Sequence, residues 1–195
     1  MDVKKVKTFS VFPYSVVDSV NKLQPNAPPS TAVKTELDRI YPPQTAITFS
    51  VNELTPVTVE YDLDKSNALA DFRSNPLELL KILGIVAVKP VTVLYVNAID
   101  KGPPGKDPAL GLTLTAMTPG VPGTGGPTAI ANQGTSAKYN GAPSITAHEI
   151  GHDMGAHDVT TTGSNQDLMW DHQISAQPCR LKKRDWDLIN PPGSN

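Results

Sequence analysis

The run VTVLYVNAI, Val91 to Ile99, constrains the fold of this chain more than any other stretch. A strand with one wet face alternates apolar and polar residues, but here the side chains are apolar almost without interruption. Such a strand needs cover on both faces, so the chain must fold in layers. The flanking segments can supply them. VKTFSVFPYSVVD, Val6 to Asp18, alternates, is rich in Val and Phe, and reads as a first strand with Pro13 at a bulge or edge. Ser30 or Thr31 opens a helix, TAVKTELDRIY, which carries Val33, Leu37, Ile40 and Tyr41 on one face and is stopped by Pro42. A second strand is expected in AITFSVNELTPVTVEYD. A short helix follows in NPLELLKILG, begun by Asn75 and Pro76 and ended by Gly84. LGLTLTAM and PTAIANQ read as two more short strands after the apolar run. The order is that of a layered domain of helices and strands.

A chain of 195 residues can bury one ordinary core, and a single domain is expected. Seventeen basic side chains against 19 acidic ones leave no electrostatic footprint for nucleic acid or anionic membranes. No apolar run approaches the roughly 20 residues of a membrane span. Proline and glycine cluster at Gln24 to Ser30, Lys101 to Pro108 and Thr118 to Pro127, which read as loops between structured pieces. The start, MDVKKVKTFSVF, lacks the apolar segment and cleavage site of an export signal, so the chain either stays inside the cell or is a mature secreted form. The one cysteine, Cys179, can form no internal disulfide and reads as a packing residue.

Chemistry concentrates in TAHEIGHDMGAHD, Thr146 to Asp158, which holds three of the four histidines. Pro143 and Ser144 signal the start of a helix running to Met154, with Gly155 able to take the positive φ that ends it. His148 and His152, four apart, then stand one above the other about 6 Å along the axis and can point two nitrogens at one ion. Ala147, Ile150 and Met154 fall on the opposite face and should bury against the sheet. Glu149 lies too far round to compete as a ligand but within reach of a metal-bound water. Two ligands do not hold a catalytic zinc; three protein ligands and an open water position do. Beyond the glycine bend the chain offers both His157 and Asp158.

HEIGHDMGAHD resembles HExxHxxGxx(H/D), the zinc signature of the metzincin metalloproteases, with Asp158 at its tenth place after His148. Aspartate there resembles the snapalysin-like members. The adamalysin-like members, the second choice, carry Gly-x-x-His-Asp, which this chain matches only after deletion of one residue; His157 is then the alternative third ligand. NQDLMW places Met169 eleven residues after Asp158, similar to the short spacing of the methionine turn beneath the metal. Many members carry a tyrosine two residues later; here that position is Asp171, so its role is not carried over. The match covers residues 146 to 169.

The resemblance implies an α+β fold: a metzincin-like catalytic domain over residues 1–195, with a twisted, mostly parallel five-stranded sheet and one antiparallel edge strand bordering the cleft. It implies an upper subdomain, 1–155, ending in an active-site helix at about 143–155. A small lower subdomain, 156–195, would carry the methionine turn and a helix in CRLKKRDWDLI, with Leu181, Trp186 and Ile189 as packing residues. It further implies a secreted, monomeric zinc endopeptidase acting on a protein or peptide substrate. Zn²⁺ would be held by His148, His152 and Asp158, with Glu149 as general base toward a metal-activated water. The alternative is a non-catalytic, metal-stabilised binding or adhesion module on the same scaffold. Glu149 argues against it, since a purely structural zinc site closes all four positions with protein ligands.

Other motifs are weaker. DLDKS, Asp62 to Ser66, lacks the glycine and final acid of a calcium loop and reads as an exposed turn. His172 beside Asp171 lacks a nucleophile elbow and reads as a residue at the rim of the cleft. Lys182, Lys183 and Arg184 read as a solvated helix face.

Overall fold

The computed structural model describes residues 5–20, 22, 24–60, 82, 84, 86, 89, 91–97, 99, 111–113, 128–131, 142–158, 167–169 and 180–190. In chain order these form β1 (Lys7–Asp18), α1 (Ser30–Ile40), α2 (Pro42–Thr45), β2 (Ile47–Val51), β3 (Thr55–Val59), β4 (Val91–Val96), β5 (Gly111–Thr113), β6 (Thr128–Ala131), α3 (Ala142–Asp153) and α4 (Lys183–Ile189).

β4 is the apolar run, and every one of its residues is buried. Val91, Val93 and Tyr95 join the core beneath the helices. Thr92, Leu94 and Val96 face the other way, because side chains alternate along a strand, and are equally covered. The sheet runs β2-β1-β4-β6-β5, with β3 also paired to β1. All pairings are parallel except β5 with β6. The fold is thus mixed α+β around a mostly parallel open sheet with an antiparallel strand at one edge. Its six strands fill five positions, since β2 and β3 lie end to end along the same side of β1.

That arrangement corrects the single second strand expected from Ala46 to Asp62. β2 ends just before Asn52, whose amide makes the last ladder bond to the carbonyl of Val11 at 3.0 Å and whose side chain donates to the same oxygen at 2.9 Å. Pro13 sits where β2 has ended and β3 has not begun, so its missing N–H coincides with a break in the ladder rather than with an edge strand. A second correction concerns Gly84, which lies within helical backbone; the amide of Val86 donates to the carbonyl of Ile82 at 3.0 Å, so the turn runs past the glycine. Asp62 to Ser66, Asp171, His172 and Cys179 lie outside the described residues.

α1 buries Val33, Leu37 and Ile40 on the face its spacing dictates, and Tyr41 follows them inward. It packs on β2 and on α3, which in turn lies over β4, β6 and β5. Full burial of side chains such as Leu37, Ile40 and Ile150 contributes about 1.5–3 kcal/mol each. Leu181 and Ile189 complete this core from the C-terminal segment, with Trp186 packed against it. No helix among the described residues is long and apolar enough to cross a membrane.

Candidate metal centre

α3 carries the site, and its core face is anchored first. Ala147, Ile150 and Met154 are buried. The hydroxyl of Tyr41 donates to the carbonyl of Ala147 at 2.6 Å, and that of Tyr95 meets Thr146 Oγ1 at 3.1 Å. Ser144 Oγ donates to Glu36 at 2.7 Å, tying α3 to α1. Met169 lies beneath the helix, 1% exposed; a methyl built on Gly151 would stand 2.6 Å from its Sδ and 3.2 Å from the Tyr41 hydroxyl. Gly151 therefore lets the methionine and the tyrosine close against the same turn that bears the histidines.

The helix ends in a Schellman turn. The amide of Gly155 donates to the carbonyl of His152 at 2.9 Å and that of Ala156 to the carbonyl of Gly151 at 2.9 Å. Gly155 takes a φ of +100°, which glycine adopts without steric cost. The turn leaves the carbonyl of Ala156 against the His152 ring, where it accepts a hydrogen bond from Nδ1 at 2.9 Å. His148 Nδ1 donates to the carbonyl of Leu168 at 2.5 Å, from the segment that also carries Met169. A carbonyl only accepts, so both Nδ1 atoms carry protons and both Nε2 atoms turn to a common point.

Asp158 reaches that point. His148 Nε2 and His152 Nε2 stand 3.1 Å apart, and Asp158 Oδ1 lies 3.4 and 3.2 Å from them. Bonds of about 2.0–2.1 Å around a tetrahedral ion place donor atoms about 3.3–3.4 Å apart, so the three atoms fit a shared metal. They are the group of His, Cys, Asp or Glu side chains able to hold an ion among the described residues. The two imidazoles are largely buried and the carboxylate is 44% exposed, so the group opens to solvent on the Asp158 side. His157 is exposed and outside the group; its carbonyl accepts from Arg184 Nη2 of α4 at 3.2 Å, which steadies the segment bearing Asp158.

Glu149 is 6% exposed and turned toward β5. Thr113 Oγ1 lies 2.8 Å from its Oε2 and 2.8 Å from its carbonyl oxygen. Neither this contact nor the two tyrosine anchors is legible in the motif; each joins residues at least 36 positions apart.

Charge is arranged to match. Burial works against a charged His152, but the carboxylate of Asp158, the charge of Glu149 and the Ala156 carbonyl outweigh it and push the imidazole up to about 9. Hydrogen bonds from His148 and His152 hold Asp158 well below the usual carboxylate range, against the effect of burial. Burial alone pushes Asp153 up to about 7, and its Oδ1 has no hydrogen-bond partner. In the metal-free protein, a proton on His152 Nε2 faces Asp158 Oδ1, 3.2 Å away. Its stabilising contribution is full below the ordinary value of 6.5 and is lost as pH rises through about 9. A metal needs that lone pair. Loading with a divalent metal at about pH 8 should therefore expel about one proton per chain, and affinity should climb as pH rises toward 9. Calorimetric titrations in buffers of different ionisation enthalpy count the proton; heats independent of the buffer would contradict this arrangement.

A mixed α+β fold around a mostly parallel open sheet, with a histidine helix packed over it, is the class of fold found in metalloproteases. Among solved structures the chain is similar in fold to metalloproteinase-II from Bacteroides fragilis, at 14% identity and a TM-score of 0.53, covering 96% of this chain and 53% of that one. The likeness is one of fold, and the chain spans about half the length of that neighbour. No family profile matches the sequence, and no curated protein is similar to it in sequence.

Proposed function

We propose that this protein is a zinc endopeptidase of metzincin type, with the snapalysin-like ligand set His148, His152 and Asp158, hydrolysing peptide bonds in protein or peptide substrates. The observation that carries this reading is the convergence of two imidazole nitrogens and one carboxylate oxygen at the spacing of a tetrahedral edge, beside a buried glutamate on the same helix. Two nitrogens and an oxygen suit zinc, and three protein donors leave one coordination position for chemistry, unlike a closed structural site. Zinc bound there would supply Lewis acidity, polarising a scissile carbonyl and making water acidic enough to ionise near neutral pH.

Glu149 is the general base in this reading. Its carboxylate takes the proton of water as the oxygen adds to the carbonyl carbon, then returns it to the departing amine. The Nδ1 hydrogen bonds of His148 and His152 to main-chain carbonyls fix both rings in the tautomer that offers Nε2. β5, the last strand of the described sheet, supports an extended substrate by main-chain pairing.

Incubation of the purified protein with casein, with and without a chelator and alongside elemental analysis, tests the reading. Cleavage with about one zinc per chain, abolished by the chelator, is the expected result. Stoichiometric metal with no cleavage of casein or of a peptide library would replace it with a metal-stabilised binding module.

A further inference from the structure

We propose that Thr113 is a positioning residue for Glu149, and that β5 is built around this contact. The inference rests on the reading of Glu149 as general base and adds the group that holds it. A buried carboxylate with no hydrogen-bond partner costs several kcal/mol, so the side chain cannot stand unsupported at 6% exposure. Thr113 supplies the support. Its one O–H is shared between Oε2 and the main-chain oxygen of the same residue, each 2.8 Å away, which keeps the side chain and the backbone of Glu149 at one point on the sheet edge.

The strand makes room for the contact. Thr113 and Gly111 are two apart and so face the same way. A Cβ built on Gly111 would lie 2.7 Å from both Cγ and Oε1 of Glu149 and 3.0 Å from its Cδ. No side chain fits there with Glu149 in its present rotamer. The glycine forms one wall of the slot and the threonine its polar end. Oε1, the oxygen that Thr113 does not engage, lies against Gly111 in the same slot. β5 pairs antiparallel with β6, Gly111 opposite Ile130 and Thr113 opposite Thr128, so the slot is fixed to the sheet rather than to a loop. A catalytic group misplaced by about 1 Å can cost roughly 100-fold in rate, which is the scale on which this clamp should act.

Three variants test it: Thr113→Val, which keeps the shape and removes the hydroxyl, Thr113→Ser, which keeps the hydroxyl, and Gly111→Ala. The readouts are zinc content, kcat and KM on a quenched-fluorescence peptide, and the position of the Glu149 carboxylate in crystals of each variant. Thr113→Val should bind zinc and substrate as the parent does but lose about ten- to a hundredfold in kcat, with the carboxylate moved off β5. Thr113→Ser should recover most of the rate, and Gly111→Ala should displace the carboxylate even with Thr113 present. The clamp is overturned if Thr113→Val keeps the parent kcat, if Thr113→Ser is as slow as Thr113→Val, if zinc is lost along with rate, or if the carboxylate stays in place. Should the zinc-loaded parent itself fail to cleave, the endopeptidase reading falls. The crystallographic position of Glu149 in Thr113→Val then decides the clamp alone.

Discussion

Glu149→Gln should take up zinc as the parent does and lose about 10²- to 10⁴-fold in peptide cleavage. Glutamine keeps the length and shape of the side chain, and its amide oxygen can still accept from Thr113, whose hydroxyl lies 2.8 Å from Oε2 in the parent. Packing beside Gly111 is therefore retained. What the amide cannot do is take a proton near neutral pH. The comparison is made in kcat/KM at equal metal content, and a Glu149→Gln protein that cleaves at the parent rate would dismiss this residue as the base.

Asp158→Ala should weaken zinc binding by more than the 10- to 100-fold that follows loss of a group merely supporting a ligand, while His157→Ala should leave it nearly unchanged. The first variant removes the oxygen at 3.4 and 3.2 Å from the two imidazole nitrogens. It also removes one of the groups that hold His152 above its ordinary value in the metal-free protein, beside Glu149 and the Ala156 carbonyl, so proton release on loading at about pH 8 should be smaller than in the parent. The second variant changes an exposed side chain whose residue contributes its carbonyl to Arg184. Competition with a chromophoric chelator measures both affinities. The opposite ranking would move the third ligand to His157.

Much of this arrangement was legible in the chain because its determinants are local. The four-residue spacing of His148 and His152 follows the 3.6-residue period of a helix, and the same period places Ala147, Ile150 and Met154 in the core. The positive φ at Gly155 follows from the one residue able to end the helix there without strain. The burial of β4 on both faces follows from its lack of polar alternation. Boundaries were less legible. The break at Asn52 depends on the carbonyl of Val11, a partner 41 residues away, and Gly84 continues a helix that its type alone would stop.

The sequence by itself determined which kinds of donor were available, the spacing of the two histidines on one helix, and that an apolar central strand would demand layers around it. Only the tertiary structure decided which of two adjacent side chains, His157 or Asp158, stands beside the imidazole pair. That choice depends on where the Schellman turn releases the chain and on Arg184 of α4 holding the His157 carbonyl. The same holds for the threonine that meets Glu149 and the methionine that closes under Gly151. Such contacts are set by how separate elements pack and by strand register, which local periodicity does not encode.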